Sequence, residues 1–234
     1  MPLQQVRLCL LDGFDLRVND ESVDVHPTGQ RLFVYLAVRG RPVGRVLVAS
    51  HLWPDRSEKR SLANLRTTLF RLPPIGHLAV IARGAQLALA PDLRCDVHAA
   101  SDAAHRIIDG QEPDPAAWHP GPFLLDLLPG WFDEWLIPEQ ERYRQVRLHA
   151  LEALCDRLTV AGRVREAVSV GLAAVSADPL RESATRLLIQ AHLAEDNVGE
   201  ARRQYERFRE RLEKELGRCP SAKLEALAAE VTGR

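Results

Sequence analysis

Long apolar runs are missing from these 234 residues. Nothing approaches the ~18 consecutive apolar residues that a membrane-spanning helix needs. The opening MPLQQVRLCLLDG has neither a long apolar stretch nor a small-residue cleavage site, so no secretion signal is expected. Cysteine is scarce: Cys9, Cys95, Cys155 and Cys219 are scattered and form no CxxC pair. That argues against a disulfide framework or a zinc site, and for thiols in a reducing cytoplasm. GxxxxGK(S/T), GxGxxG, GxSxG and HExxH are all absent, so no catalytic residue and no cofactor is assigned. His98 and His105 are seven apart and close to Asp102, hence on one helix face, but no further ligand joins them into a metal site.

The most informative absence is local. KRSLANLRTTLFRL, Lys59 to Leu72, contains no acid. Its leucines Leu62, Leu65, Leu69 and Leu72 recur at helical spacing and predict a stripe toward a core. The face pointing away then carries Arg60, Asn64, Thr67 and Arg71, with Arg66 at the flank nearer the core. An ordinary surface helix mixes Glu with Lys or Arg at i, i+4. A face of cations and hydrogen-bonding side chains alone suits a polyanion.

What is present sharpens this. The composition, 46% hydrophobic and 27% charged, is that of a globular chain with a real core. The net charge of -1 hides a split. Residues 1–95 carry 13 Lys and Arg against 8 Asp and Glu; the remainder carries 18 against 24. A basic front and an acidic back point to two domains, 1–95 and 96–234, with different partners.

The front reads as short strands, helices and a hairpin. Strands are expected at Val6–Leu11, Phe14–Val18 and Ser22–Val25, with a turn at Asn19–Glu21. A helix follows Pro27, with Thr28 as its expected N-cap, and ends at Gly40. A second spans Arg45–Trp53; the acid-free helix is the third, stopped by Pro73-Pro74. LAVIARGAQLALAP then reads as two strands around Arg83-Gly84. Strands, three helices and a terminal hairpin is the order of a winged helix whose third helix enters the major groove.

The back repeats itself. Leu154 pairs with Leu188, Val164 with Val198, Glu166 with Glu200 and Ala167 with Ala201, each 34 residues apart. That is the tetratricopeptide period, and the small Ala167 and Ala201 let paired helices approach closely. The second copy departs at Asp196, where Gly162 would recur, and at Phe208, where Ala174 would. A degenerate third copy is expected before them, with caps at Asp96–Gly110 and Ser221–Val231. Three of the four tryptophans fall in WHPGPFLLDLLPGWFDEW, Trp118–Trp135, read as an irregular linker anchored on the repeats.

Two modules together resemble a known family. QRLFVYLAV (Gln30–Val38), RPVGRVLVASHLWP (Arg41–Pro54) and RSLANLRTTLFRL (Arg60–Leu72) resemble the response-regulator-type winged helix of the Streptomyces antibiotic regulatory proteins. RCDVHAA (Arg94–Ala100) matches that family's domain junction, while Gly130–Leu154 and Ala177–Gly217 look like its bacterial transcriptional activation domain. The resemblance implies an α+β chain: a winged helix, then an all-α tetratricopeptide-like repeat domain. It implies a cytoplasmic, non-enzymatic activator of the small type, lacking the ATPase of longer members. Such an activator binds double-stranded DNA at direct repeats as a side-by-side homodimer. Its back domain packs against the front and contacts RNA polymerase near the sigma factor, at a secondary-metabolite gene cluster.

In that setting Arg60, Asn64, Thr67 and Arg71 could reach base edges, Arg with guanine, Asn with adenine, Thr with a thymine methyl. Arg66, Lys59, Arg41, Arg45 and Thr28 are expected on phosphates, and Arg83 at the hairpin tip on the minor groove or its backbone. Relatives continue basic beyond Leu72, whereas Pro73-Pro74 intervenes here. Two other readings remain open: a metabolite-gated regulator with its pocket among the tryptophans, and a scaffold whose winged helix binds protein.

Overall fold

The structure, a computed structural model, describes residues 6–111 and 118–232; the first five residues of the opening segment lie outside it. The chain folds as two compact units. The first runs to Ala100 and resumes over Leu125–Arg144; the second comprises Ser101–Leu124 and Gln145–Arg234. Their border is therefore crossed three times by the chain, where the charge split suggests a single cut.

In the first unit, strands β1 (Val6–Cys9), β2 (Asp15–Val18) and β3 (Glu21–Val23) form an antiparallel meander. Asn19 and Asp20 turn β2 into β3 with φ of 51° and 70°, the pair of left-handed residues a tight hairpin requires. Strand β7 (Arg94–Cys95) joins β1 in parallel, giving the order β3-β2-β1-β7. Asp96 fixes this junction, because its carboxylate accepts from the backbone N–H of Leu10 and Leu11 as well as Val97.

Helix α1 (Pro27–Arg39) buries Leu32 through Ala37 without a break, as a helix at the centre of a core does. Pro27 occupies its first turn, where a missing N–H costs nothing. His26, and not Thr28, is the N-cap: its ring nitrogen accepts from the Thr28 N–H. Strand β4 (Val43–Gly44) leads into α2 (Arg45–Leu52), followed by α3 (Glu58–Phe70).

A short helix, α4 (Pro74–Ala79), then intervenes and takes Leu78 and Ala79 from the start of the expected hairpin. Pro73-Pro74 does end α3, but Pro74 also suits the first turn of a new helix. The hairpin is consequently β5 (Val80–Arg83) and β6 (Gln86–Leu89), and β6 pairs with β4 in a second sheet, β4-β6-β5.

Two tryptophans expected on the repeats belong to this first core instead. Trp135 meets Tyr35 edge-on at 5.1 Å, and Trp131 stacks on Phe14 at 6.5 Å. Trp118 alone stays with the second unit, where Arg157 lies over its ring.

The second unit is helical: the later part of α5 (Asp96–Ile108) and of α6 (Ile137–Val160), then α7 (Val164–Ala177), α8 (Glu182–Ala194), α9 (Val198–Leu216) and α10 (Ala222–Thr232). The ends of α6 and α8 and the starts of α7 and α9 keep the 34-residue spacing. Ala167 and Ala201 are both fully buried. The repeat survives even its departure in sequence: Asp196 adopts φ 58° where Gly162 has 73°. Asp tolerates that left-handed conformation at a turn. At Gly171 an added Cβ would come within 3.1–3.2 Å of Leu188 and Cys155, so only glycine fits there without displacement.

Candidate nucleic-acid interface

Helix α3 carries the acid-free run of the sequence, preceded in its first turn by Glu58. Its buried stripe is Ser61, Leu65 and Thr68, continued by Leu72, whereas Leu62 and Leu69 are only half-buried. The helix is thus rotated from the leucine-based expectation. Ser61 explains the shift: its hydroxyl sits within 3.2–3.4 Å of the Trp53, Arg56 and Ser57 carbonyls, tying the α2–α3 loop to the first turn of α3. A small hydroxyl satisfied in this way is accommodated in a core at little cost.

The consequence falls on the outward face. With about 100° per residue, Lys59, Ala63, Arg66, Thr67 and Phe70 lie within about 50° of the point opposite the buried stripe. Arg66, expected at the flank toward the core, is exposed on this face. Arg60 remains exposed beside it, and Asn64 is half-buried at its edge. Arg71 lies just past the helix as its C-cap, also exposed. Lys59, Arg60, Arg66 and Arg71 make no ion pair among the described residues. Phe70, 85% exposed, is the residue that sequence reasoning missed. No apolar pattern signals it, because the buried Ser61 and Thr68 are polar.

The other expected contacts form a second group. The Arg45 backbone N–H donates to the Ala85 carbonyl at 2.9 Å, and Gly44 is in register with Gln86, itself opposite Arg83. Arg45 and Arg83 are therefore neighbours around the hairpin turn, where Gly84 has φ 59°. Arg41 and Arg83 line one cleft of about 320 Å³. Thr28 is half-buried in the first turn of α1, its hydroxyl 3.1 Å from the His26 ring nitrogen, and its neighbour Gly29 packs toward the buried Leu72 and not toward the outward face of α3. The other candidates fall in two groups within one unit, one on and just past α3 and one around the β5–β6 turn.

Among the described residues no group of three or more His, Cys, Asp or Glu could hold a metal. His98 donates to the Ala37 carbonyl and His105 to that of Ser101. Burial, reinforced by Asp96, pushes the Cys95 thiol up to about 12, and burial does the same for Cys155, so neither is a ready nucleophile. A cleft of about 430 Å³ beside Trp135 carries both signs, but Arg31 pairs with Asp133 and Arg39 lies 3.8 Å from Glu139. No helix of the described residues is long and apolar enough to cross a membrane.

A family model described as the bacterial transcriptional activator domain matches residues 95–232, more than half of the chain. Among solved structures, the chain is similar to Mycobacterium tuberculosis EmbR in complex with a low-affinity phosphopeptide. The TM-score is 0.77 at 19% sequence identity, with 98% of this chain and 65% of that chain covered. At that identity the likeness is one of fold, and the chain spans 65% of EmbR's length. No curated protein matches the chain by sequence.

Proposed function

Because the chain belongs to the bacterial transcriptional activator domain family, and so to activators of the Streptomyces antibiotic regulatory type, we propose that it is a sequence-specific DNA-binding activator. In this reading the first unit is a winged helix. Helix α3 enters the major groove, and the β5–β6 hairpin lies on the adjacent backbone through Arg83, with Arg41 and Arg45 behind it. Lys59 and Arg60 hold phosphates along the groove edge. The helical unit is a tetratricopeptide-like surface that recruits RNA polymerase near its sigma factor. The protein acts in the cytoplasm, as a homodimer on direct repeats, at a secondary-metabolite cluster.

The observation that carries this reading is the run of exposed cations on α3 without partners. Four positive side chains outnumber Glu58, the acid in the first turn of α3, and none of them pairs with it; they repel one another at a cost that a polyanion relieves. The test is a mobility shift of the full chain on a randomised pool of duplexes at low salt. Retention and enrichment of a repeated motif is the expected result. If no duplex is retained at about 50 mM salt, where phosphate contacts are strongest, the reading is wrong.

A further inference from the structure

Two exposed side chains on the outward face of α3, Thr67 and Phe70, offer no charge to DNA. Phe70 is the most exposed of the large hydrophobic residues described, at 85%, so it contributes almost nothing to the core. Thr67, three residues before it, donates its hydroxyl back to the Ala63 carbonyl at 3.1 Å. That bond spends the hydroxyl on the helix itself and leaves the methyl as the group Thr67 presents. Residues three apart on a helix are neighbours. Thr67 and Phe70 therefore make a short apolar strip, flanked by the exposed, unpaired Arg66 and Arg71.

We propose that this strip reads thymine, its methyl and ring packing on the C5-methyl groups of one or two thymines in the major groove. The inference rests on the DNA-binding reading above and adds a base to it. In the major groove the thymine C5-methyl is the distinctive apolar group, and Thr methyl and Phe both suit it. An apolar protein partner fits the surroundings less well, because it would have to bury Arg66 and Arg71 without offering them an anion. DNA supplies the methyl and the phosphates together. Asn64, half-buried at the edge of the face, is then secondary to Phe70 in choosing the sequence.

Uracil tests this directly, since it differs from thymine only by the methyl. The full chain is bound to a duplex it selects from a randomised pool, and each thymine is replaced singly by uracil. Wild-type protein should bind about fourfold more weakly at one or two positions, the ratio for ~0.8 kcal/mol of a buried methyl-sized group. Phe70→Ala should lose that dependence at one position. Thr67→Ser, which keeps the hydroxyl and removes the methyl, should lose it at the neighbouring one. Both sites are exposed, so melting should be unchanged.

Tight binding with no sensitivity to uracil at any position overturns the inference and leaves the DNA-binding reading standing. Failure to select any duplex removes both. Should Phe70→Ala keep its full uracil dependence and lose only activation in a reconstituted transcription assay, the ring faces a protein and the inference is again overturned.

Discussion

Helices α3 and α9 are both rich in arginine, and they solve the charge differently. On α9 four of the five arginines are paired with acids, Arg202 with Glu206, Arg203 and Arg207 with Glu200, Arg211 with Glu215, while Arg209 lies over the Tyr205 ring. The Arg203 hydrogen bond holds the Glu200 carboxyl below the usual carboxylate range. On α3, Lys59, Arg60 and Arg66 stand exposed with no such partner among the described residues. A count of cations would rank α9 above α3 as a polyanion site. Pairing reverses the ranking, since a cation already matched within its own helix offers little new attraction to phosphate.

The contrast does not extend to the buried sides of the two helices, and the largest expected effects lie there. Leu65 on α3 and Phe208 on α9 are each almost fully buried. Leu65→Ala should cost about 2–5 kcal/mol and Phe208→Ala about 3–5 kcal/mol of the stability of the unit concerned. Leu69→Ala, at a half-buried position, should cost roughly 1 kcal/mol. Denaturant unfolding of the three variants gives the order. Equal losses at Leu65 and Leu69 would return α3 to the leucine-centred orientation and displace Phe70 from the outward face.

Next comes the contrast itself. Arg60→Glu combined with Arg66→Glu should weaken binding to a selected duplex by about 100-fold or more, since contacts are lost and two phosphates now face carboxylates. Arg203→Glu combined with Arg207→Glu reverses the same number of charges and should change binding by less than about threefold. Anisotropy titrations at one fixed salt concentration separate the two. Similar losses in both double variants would mean that total charge, and not pairing, decides.

Much of this arrangement was legible in the sequence, and the exceptions share a cause. The 34-residue period located the helix pairs because it is local and repeated, and it held even through Asp196. The acid-free run located α3. Its rotation was not legible, because Ser61 and Thr68 are polar and count as outward in any apolar pattern, yet the fold buries them. Helix α4 escaped because proline both ends one helix and begins another. The placement of Trp131 and Trp135 depends on Phe14 and Tyr35, more than ninety residues away in the chain, and no periodicity reports such a contact.

Salt provides a smaller but sharper measure of the α3 side. The balance of +5 over residues 1–95 suggests about 4–6 phosphate contacts per protomer, and hence a slope of log K against log salt near -4 to -5. Arg83→Ala should reduce the steepness by about 1 and weaken selected and scrambled duplexes alike, because its expected contact is the backbone. Binding that is indifferent to salt between about 50 and 200 mM would show that the unpaired cations are not used on phosphate.

The smallest effect expected concerns the underside of α9. His192 on α8 is buried, and neither ring nitrogen has a hydrogen-bond partner. Burial lowers its pKa below the ordinary 6.5; Glu200 and Glu195 pull it back up, and Arg207 pushes it down again. The folded chain therefore favours the neutral ring. A depressed histidine contributes stability that is fully present above about 6.5 and is lost as the pH falls toward the folded value, because the unfolded chain then binds the proton more readily. Wild-type protein should thus lose some denaturant resistance between pH 7.5 and pH 5.5. His192→Leu, which removes the titrating group from an apolar site, should flatten that loss. Glu200→Gln should deepen it, since the carboxylate that favours the charged ring is gone. If wild type and His192→Leu decline in parallel over this range, the proton is taken up elsewhere. The paired network of α9 would then have no hold on the core beneath it.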